Sequence, residues 1–221
     1  MSRPRSEVVE ELHALGILVD RREVFLGGEP SDEDETSNKT AMKFIKNMRL
    51  LQKFQGNNGG GPQPIVIHQL NDGGNWDAGM AIYDAISSSE SHVTMVCHGA
   101  AMSMGSIIPQ AADLRIIMPN ASFMIHYGDM NLNATYRQSK AYIDFHSKCA
   151  EIMIDIFSDK CQQGARYQGK NLSFIKKDLR TKLDRKEDWF ITAREAVEYG
   201  FMDAVLGDKD YETLNQILNV S

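Results

Sequence analysis

Short apolar runs alternate with helical stripes along most of this chain, and that alternation admits few folds. Ile65–Leu70, Val93–Cys97, Leu114–Met118 and Phe123–His126 are too short for buried helices. Gly, Pro, Asn or Asp lies close to their ends, so they read as buried strands. Arg22–Leu26, closed by Gly27 and Gly28, is another. Between these runs, Ala41, Phe44, Ile45 and Met48 fall on one helical face, as do Ala78, Ala81, Ile82 and Ala85. A further helix is expected through Ile107 and Ala111. Strands alternating with helices imply an α/β fold with a mainly parallel sheet.

The chain has 221 residues, which suits a single domain over 1–221. Residues 1–20 form an N-terminal segment of their own. From about Ala134 to Cys161 the pattern is helical throughout, with Phe145, Cys149, Ile152, Met153 and Ile156 on one face. A helix that long outreaches a small core and suits contact with another subunit. Gly56–Gln63 reads as a surface loop, and the acidic run Ser31–Glu35 equally as a lead-in to the first stripe or as a solvated loop. The basic stretch Gly164–Lys186 reads as irregular. Ala193–Tyr199 is a helix opened by the capping box Thr192–Glu195 and closed by Gly200.

Composition narrows function. The formal charge is −6, against the basic excess of a nucleic-acid binder. No apolar run approaches a membrane span, and Met1–Glu11 lacks the apolar region of a secretory signal. Cys97, Cys149 and Cys161 are too scattered for a disulfide framework or a metal site. The expectation is a reduced, soluble, cytoplasmic protein that needs no metal or cofactor.

Four places carry candidate chemistry. Ser103 follows an apolar strand and a small-residue turn and precedes a helix, where a hydroxyl is lifted beside free amides. Such serines are more often plain helix caps. His126 ends a strand on the edge where α/β folds place their sites, and His68 and His98 also lie at or near strand ends. Asp188 lies just ahead of the capping box, with Asp184 and Glu187 as rivals. Gly73-Gly74 can aim backbone N–H groups at a developing oxyanion, or simply make a turn. Gly164–Lys170 imitates a phosphate loop, but it follows a helix and is continued by Asn171 rather than Ser or Thr, so nucleotide binding there is rejected.

These pieces resemble, in collinear blocks from about Arg22 to Leu206, the proteolytic subunit of the Clp protease, the ClpP family. The blocks are "REVFLGGEPSD", "NDGGNWDAGMAIYDAI", "CHGAAMSMGS", "MPNASFMIHYG" and "EDWFITAREAVEYGFMDAVL". The resemblance implies a ClpP/crotonase-like spiral of ββα units with a protruding handle helix at about 134–161. It implies a serine endopeptidase with Ser103 as nucleophile, His126 as base and Asp188 as its orienting carboxylate. The backbone N–H groups of Gly73 and Met104 would form the oxyanion hole. It further implies heptameric rings, stacked as a tetradecamer, that enclose polypeptide substrates fed by an AAA+ unfoldase. Asn71-Asp72 stands where the family has Ser-Pro, and Tyr127-Gly128 where it has Gln-Pro. A longer segment before Asp188 keeps Asp184 open as its substitute. Other functions on this architecture are a capsid-maturation protease, a crotonase-type acyl-CoA enzyme and an inactive ring subunit.

Overall fold

The structure is a computed structural model that describes residues 5–27, 36–53 and 61–219. The acidic run Ser31–Glu35 and most of the Gly56–Gln63 loop lie outside the described residues.

The chain opens with α1 (Arg5–Glu10), a π turn at Glu11–Leu15, β1 (Ile17–Leu18) and β2 (Glu23–Gly27). Then follow α2 (Asn38–Lys53), β3 (Ile65–Asn71), α3 (Trp76–Ser87), β4 (Val93–Met102), α4 (Met104–Ile107), β5 (Leu114–Ile117) and β6 (Ser122–Ile125). The last part holds α5 (Tyr136–Cys161), α6 (Leu172–Lys186), β7 (Trp189–Thr192), α7 (Ala193–Tyr199), β8 (Ala204–Val205) and α8 (Leu214–Asn219). The sheet runs β1-β2-β3-β4-β5-β8, parallel except for β1 against β2. The fold is the expected α/β with a long helix.

Strand β4 pairs with β3 along one side and has two partners on the other. Thr94–Cys97 pair with β5, whereas Ala100–Met102 pair with β6. Past Cys97 the strand thus exchanges β5 for β6 on that side, while Asn71 of β3 still pairs with Ala101 on the other, and the sheet branches into a small second layer. There β6 carries β7 antiparallel on its other side. An aromatic cluster fixes this second layer. Phe123 of β6 stacks on Phe201 at 5.5 Å, Phe157 of α5 meets Phe201 edge-on at 5.1 Å, and Trp189 of β7 meets Tyr199 edge-on at 4.9 Å. Such pairs add about 0.5–1.5 kcal/mol each beyond their buried area. Buried Arg115 ties β5 to the turn after α7 through Asp203 Oδ2 (2.9 Å from Nε), Gln110 Oε1 (2.9 Å) and the Gly200 carbonyl (3.1 Å). A buried guanidinium is tolerable because these acceptors surround it.

Helix α5 starts at Tyr136, capped by a Thr135–Gln138 box. From Tyr136 to Lys148 nearly every residue is exposed. Its buried face further on is Cys149, Met153, Ile154, Phe157 and Cys161, which corrects the expected stripe: Ile152 is exposed, and Phe145 is exposed at the rim of the cavity described below. A second correction concerns Gly164–Lys186. It is a short turn at Ala165–Tyr167 followed by the regular helix α6. Asn171 caps α6 by accepting from the Phe174 amide at 2.9 Å, and Ile175, Leu179 and Leu183 bury one face at helical spacing. One apolar residue per turn suffices where the other faces are solvated. Among the described residues no helix is long and apolar enough to cross a membrane.

Candidate active site

Strand β4 delivers Ser103 directly onto the first turn of α4. Its backbone takes φ 51° and ψ −122°, a region L-residues avoid at a cost of about 1–3 kcal/mol. The Ser103 amide donates to the Met124 carbonyl of β6 at 3.0 Å. Close backbone approach explains the small neighbours. A β-carbon on Gly105 would overlap the Asn71 carbonyl. One on Gly73, itself at φ 124°, would lie 2.6 Å from the Ser103 β-carbon.

The next residue after β6 is His126. Its Nε2 is 2.8 Å from Ser103 Oγ, and its Nδ1 is 3.1 Å from Asp188 Oδ1. Asp188 immediately precedes β7. The imidazole side chain is 16% exposed and the carboxylate 55%, so the ring is sheltered while the carboxylate borders solvent. With Nδ1 carrying the proton toward Asp188, Nε2 is free to accept from the serine hydroxyl.

The rivals lie elsewhere. Asp184 accepts from the Tyr127 hydroxyl at 3.4 Å. Glu187 ends α6 with its amide on the Leu183 carbonyl. His68 Nδ1 is 3.1 Å from His98 Nε2, with Glu23 Oε2 at 3.4 Å from its other nitrogen and Phe25 stacked on it. That cluster lines a different cavity from Ser103. Burial, helped by His98, pushes His68 down to about 4, so its imidazole is neutral at pH 7. All three cysteines are free and buried. Burial pushes the Cys97 thiol up to about 12 and raises Cys149 and Cys161 as well, which leaves no thiolate to compete as nucleophile.

Ser103 and His126 open into a cavity of about 880 Å³. Ile107, Met124, Phe145, Cys149 and Met153 are the apolar part of a mixed lining.

The two amides expected to face an oxyanion are in different states. Met104 opens α4, so its N–H has no intrahelical acceptor. The Gly73 N–H donates to Asn71 Oδ1 at 2.8 Å. Asn71 and its partner Thr36 are the site residues that sequence reasoning missed. An Asn two residues before a Gly signals such a turn, but the Thr36 contact spans 35 residues. Among the described residues no group of three or more His, Cys, Asp or Glu is placed to hold a metal ion.

Comparison with known proteins gives a consistent result. The Clp protease family model matches residues 6–209. The chain is 30% identical over 187 residues to the ATP-dependent Clp protease proteolytic subunit 3 of Synechococcus sp. (strain CC9902), covering 84% of this chain and 82% of the relative. It is 30% identical over 208 residues to the ATP-dependent Clp protease proteolytic subunit 1 of Chlamydia muridarum (strain MoPn / Nigg), covering 89% and 95%. It is 31% identical over 201 residues to the ATP-dependent Clp protease proteolytic subunit of Chlorella vulgaris, covering 89% and 87%.

Proposed function

This chain belongs to the Clp protease family, and we propose that it is a serine endopeptidase cutting unfolded polypeptides with Ser103, His126 and Asp188. The observation that carries this reading is the continuous hydrogen-bonded line from Ser103 Oγ through both nitrogens of His126 to Asp188.

The chemistry follows from that line. Ser103 Oγ attacks the scissile carbonyl carbon, a C–O bond forms, and the carbonyl π pair moves onto oxygen. The hydroxyl proton passes to His126 Nε2, and Asp188 stabilises the imidazolium. The oxyanion is received by the amides of Met104 and Gly73, each such donor being worth about 3–4 kcal/mol in the transition state. Collapse breaks the C–N bond, and the leaving amine takes the proton from Nε2. Water then repeats the sequence on the acyl-enzyme and restores Ser103.

In this reading residues 1–221 form one domain, and 134–161 are the handle by which heptameric rings stack into a tetradecamer. The exposed Tyr136, Ile143 and Ile152 on α5 support a partner there. An AAA+ unfoldase delivers the polypeptide, and the particle works in the cytoplasm.

The test is fluorophosphonate labelling with peptide mapping on wild type and Ser103→Ala. Label confined to Ser103 and lost in the variant is the expected result. An assembled particle that never labels overturns the reading.

A further inference from the structure

The Gly73 amide, assigned above to the oxyanion hole, is already in use. Its hydrogen bond to Asn71 Oδ1 measures 2.8 Å. Asn71 is wholly buried and is held at rest by Thr36. Its Nδ2 donates to Thr36 Oγ1 at 2.9 Å, and the same hydroxyl lies 3.1 Å from Oδ1. Thr36 in turn is locked to the glycine turn. Its amide donates to the Gly73 carbonyl at 2.9 Å, and its carbonyl accepts from the Asn75 amide at 2.8 Å. The Gly73 backbone meanwhile runs close to Ser103, since a β-carbon there would lie 3.1 Å from the hydroxyl oxygen. At rest the Gly73 proton is thus taken by an acceptor of the chain itself.

From this arrangement we propose that Asn71 is a positioning residue that caps the Gly73 amide at rest and is displaced only as the oxyanion forms. The inference rests on the serine-peptidase reading of the site. The physics gives it a direction. A ground-state carbonyl is no better an acceptor than the Asn71 amide oxygen, so it does not displace the cap. A full oxyanion accepts about twice as strongly as a neutral oxygen, so it does. The exchange therefore falls on the transition state, where it lowers the rate by the worth of one neutral hydrogen bond. That is a factor of up to about ten. Thr36 sets how readily the cap turns away.

The test compares a peptide aldehyde, which adds reversibly to Ser103 Oγ and places its oxygen in the hole, with the matching peptide alcohol, which binds without adding. Inhibition constants are measured for wild type, Asn71→Ala and Asn71→Asp. Removal of the cap should tighten the aldehyde by up to about tenfold and leave the alcohol unchanged. Asn71→Asp, whose carboxylate is a stronger acceptor for the same amide, should weaken the aldehyde by a similar factor. A residue that merely supports the turn would weaken the aldehyde in both variants, and that result overturns the proposal. So does an unchanged aldehyde-to-alcohol ratio in protein whose Ser103 still takes fluorophosphonate. If Asn71→Ala does not fold, Thr36→Val removes the hydroxyl that holds the cap and should tighten the aldehyde in the same direction; an unchanged ratio there overturns the proposal equally. Absence of both aldehyde binding and fluorophosphonate labelling in wild type overturns the peptidase reading and this inference with it.

Discussion

His126 and Asp188 face each other as the next pair in the antiparallel register of β6 and β7. The ladder runs from Ser122 opposite Thr192 to Ile125 opposite Trp189, and one further step brings the imidazole and the carboxylate to 3.1 Å. Strand pairing, rather than a loop, sets their approach. Asp188→Asn should therefore fold normally and lose about 10²-fold or more in kcat, since the wrong tautomer would face Ser103. Asp184→Asn should stay within about twofold, because that carboxylate pairs with Tyr127 instead. Peptide hydrolysis by the two variants checks both expectations, and the reverse ranking would move the orienting acid to Asp184.

Gly73 tolerates no side chain. A β-carbon there would stand 2.6 Å from that of Ser103 with φ at 124°. Gly73→Ala should slow fluorophosphonate labelling at least a hundredfold, the worth of one oxyanion donor. Gly207→Ala makes a useful comparison: it has a similar φ of 102° but open space around it, so it should cost stability without abolishing labelling.

The His68 cluster makes stability depend on pH. The folded value of His68 lies near 4 and its ordinary value is 6.5, so the unfolded chain binds the extra proton between them. The contribution is complete above pH 6.5 and fades as pH falls toward 4. At pH 5 the loss is about 2 kcal/mol. His98, also lowered by burial, acts in the same direction, whereas Glu23, raised by burial, opposes it. Urea midpoints at pH 7 and pH 5 should converge between wild type and His68→Gln as the pH drops. Parallel shifts in the two proteins would remove His68 as the cause.

Phe201 joins the aromatic stack that carries β6 and β7, and it is fully buried. Phe201→Ala should cost about 3–5 kcal/mol in denaturant unfolding. A loss below about 1 kcal/mol would mean that the cluster closes over the cavity.

Ile143 is 47% exposed on the outward part of α5. If α5 joins two rings, Ile143→Glu places a charge in that joint. Sedimentation should then show particles of half the wild-type mass with Ser103 still reactive. Unchanged mass would place the joint elsewhere.

Local signals were legible in the sequence, and long-range ones were not. Thr192, Glu195 and Gly200 announce α7 because a cap is written within a few residues. Ser103 and His126 stand out by their places at strand ends. Strand β7 went unread because Trp189–Thr192 runs straight into that cap, although its burial alternates as a strand's should. Helix α6 was hidden by its lysines and arginines, which outnumber the apolar residues of its single buried face. The choice of Asp188 over Asp184 and the Asn71 cap depend on register and on a partner at Thr36. Neither is visible from neighbours in the chain.

The triad has no part that survives outside the folded sheet. Ser103 keeps its φ of 51° only while β4 and β6 are paired beneath it, and His126 meets Asp188 only while β7 is zipped to β6. On the proposed reading, nucleophile, base and acid are thus lost together when that small layer opens. On that reading a subunit whose small layer opens falls silent, so damage to this protein removes cutting power rather than releasing it.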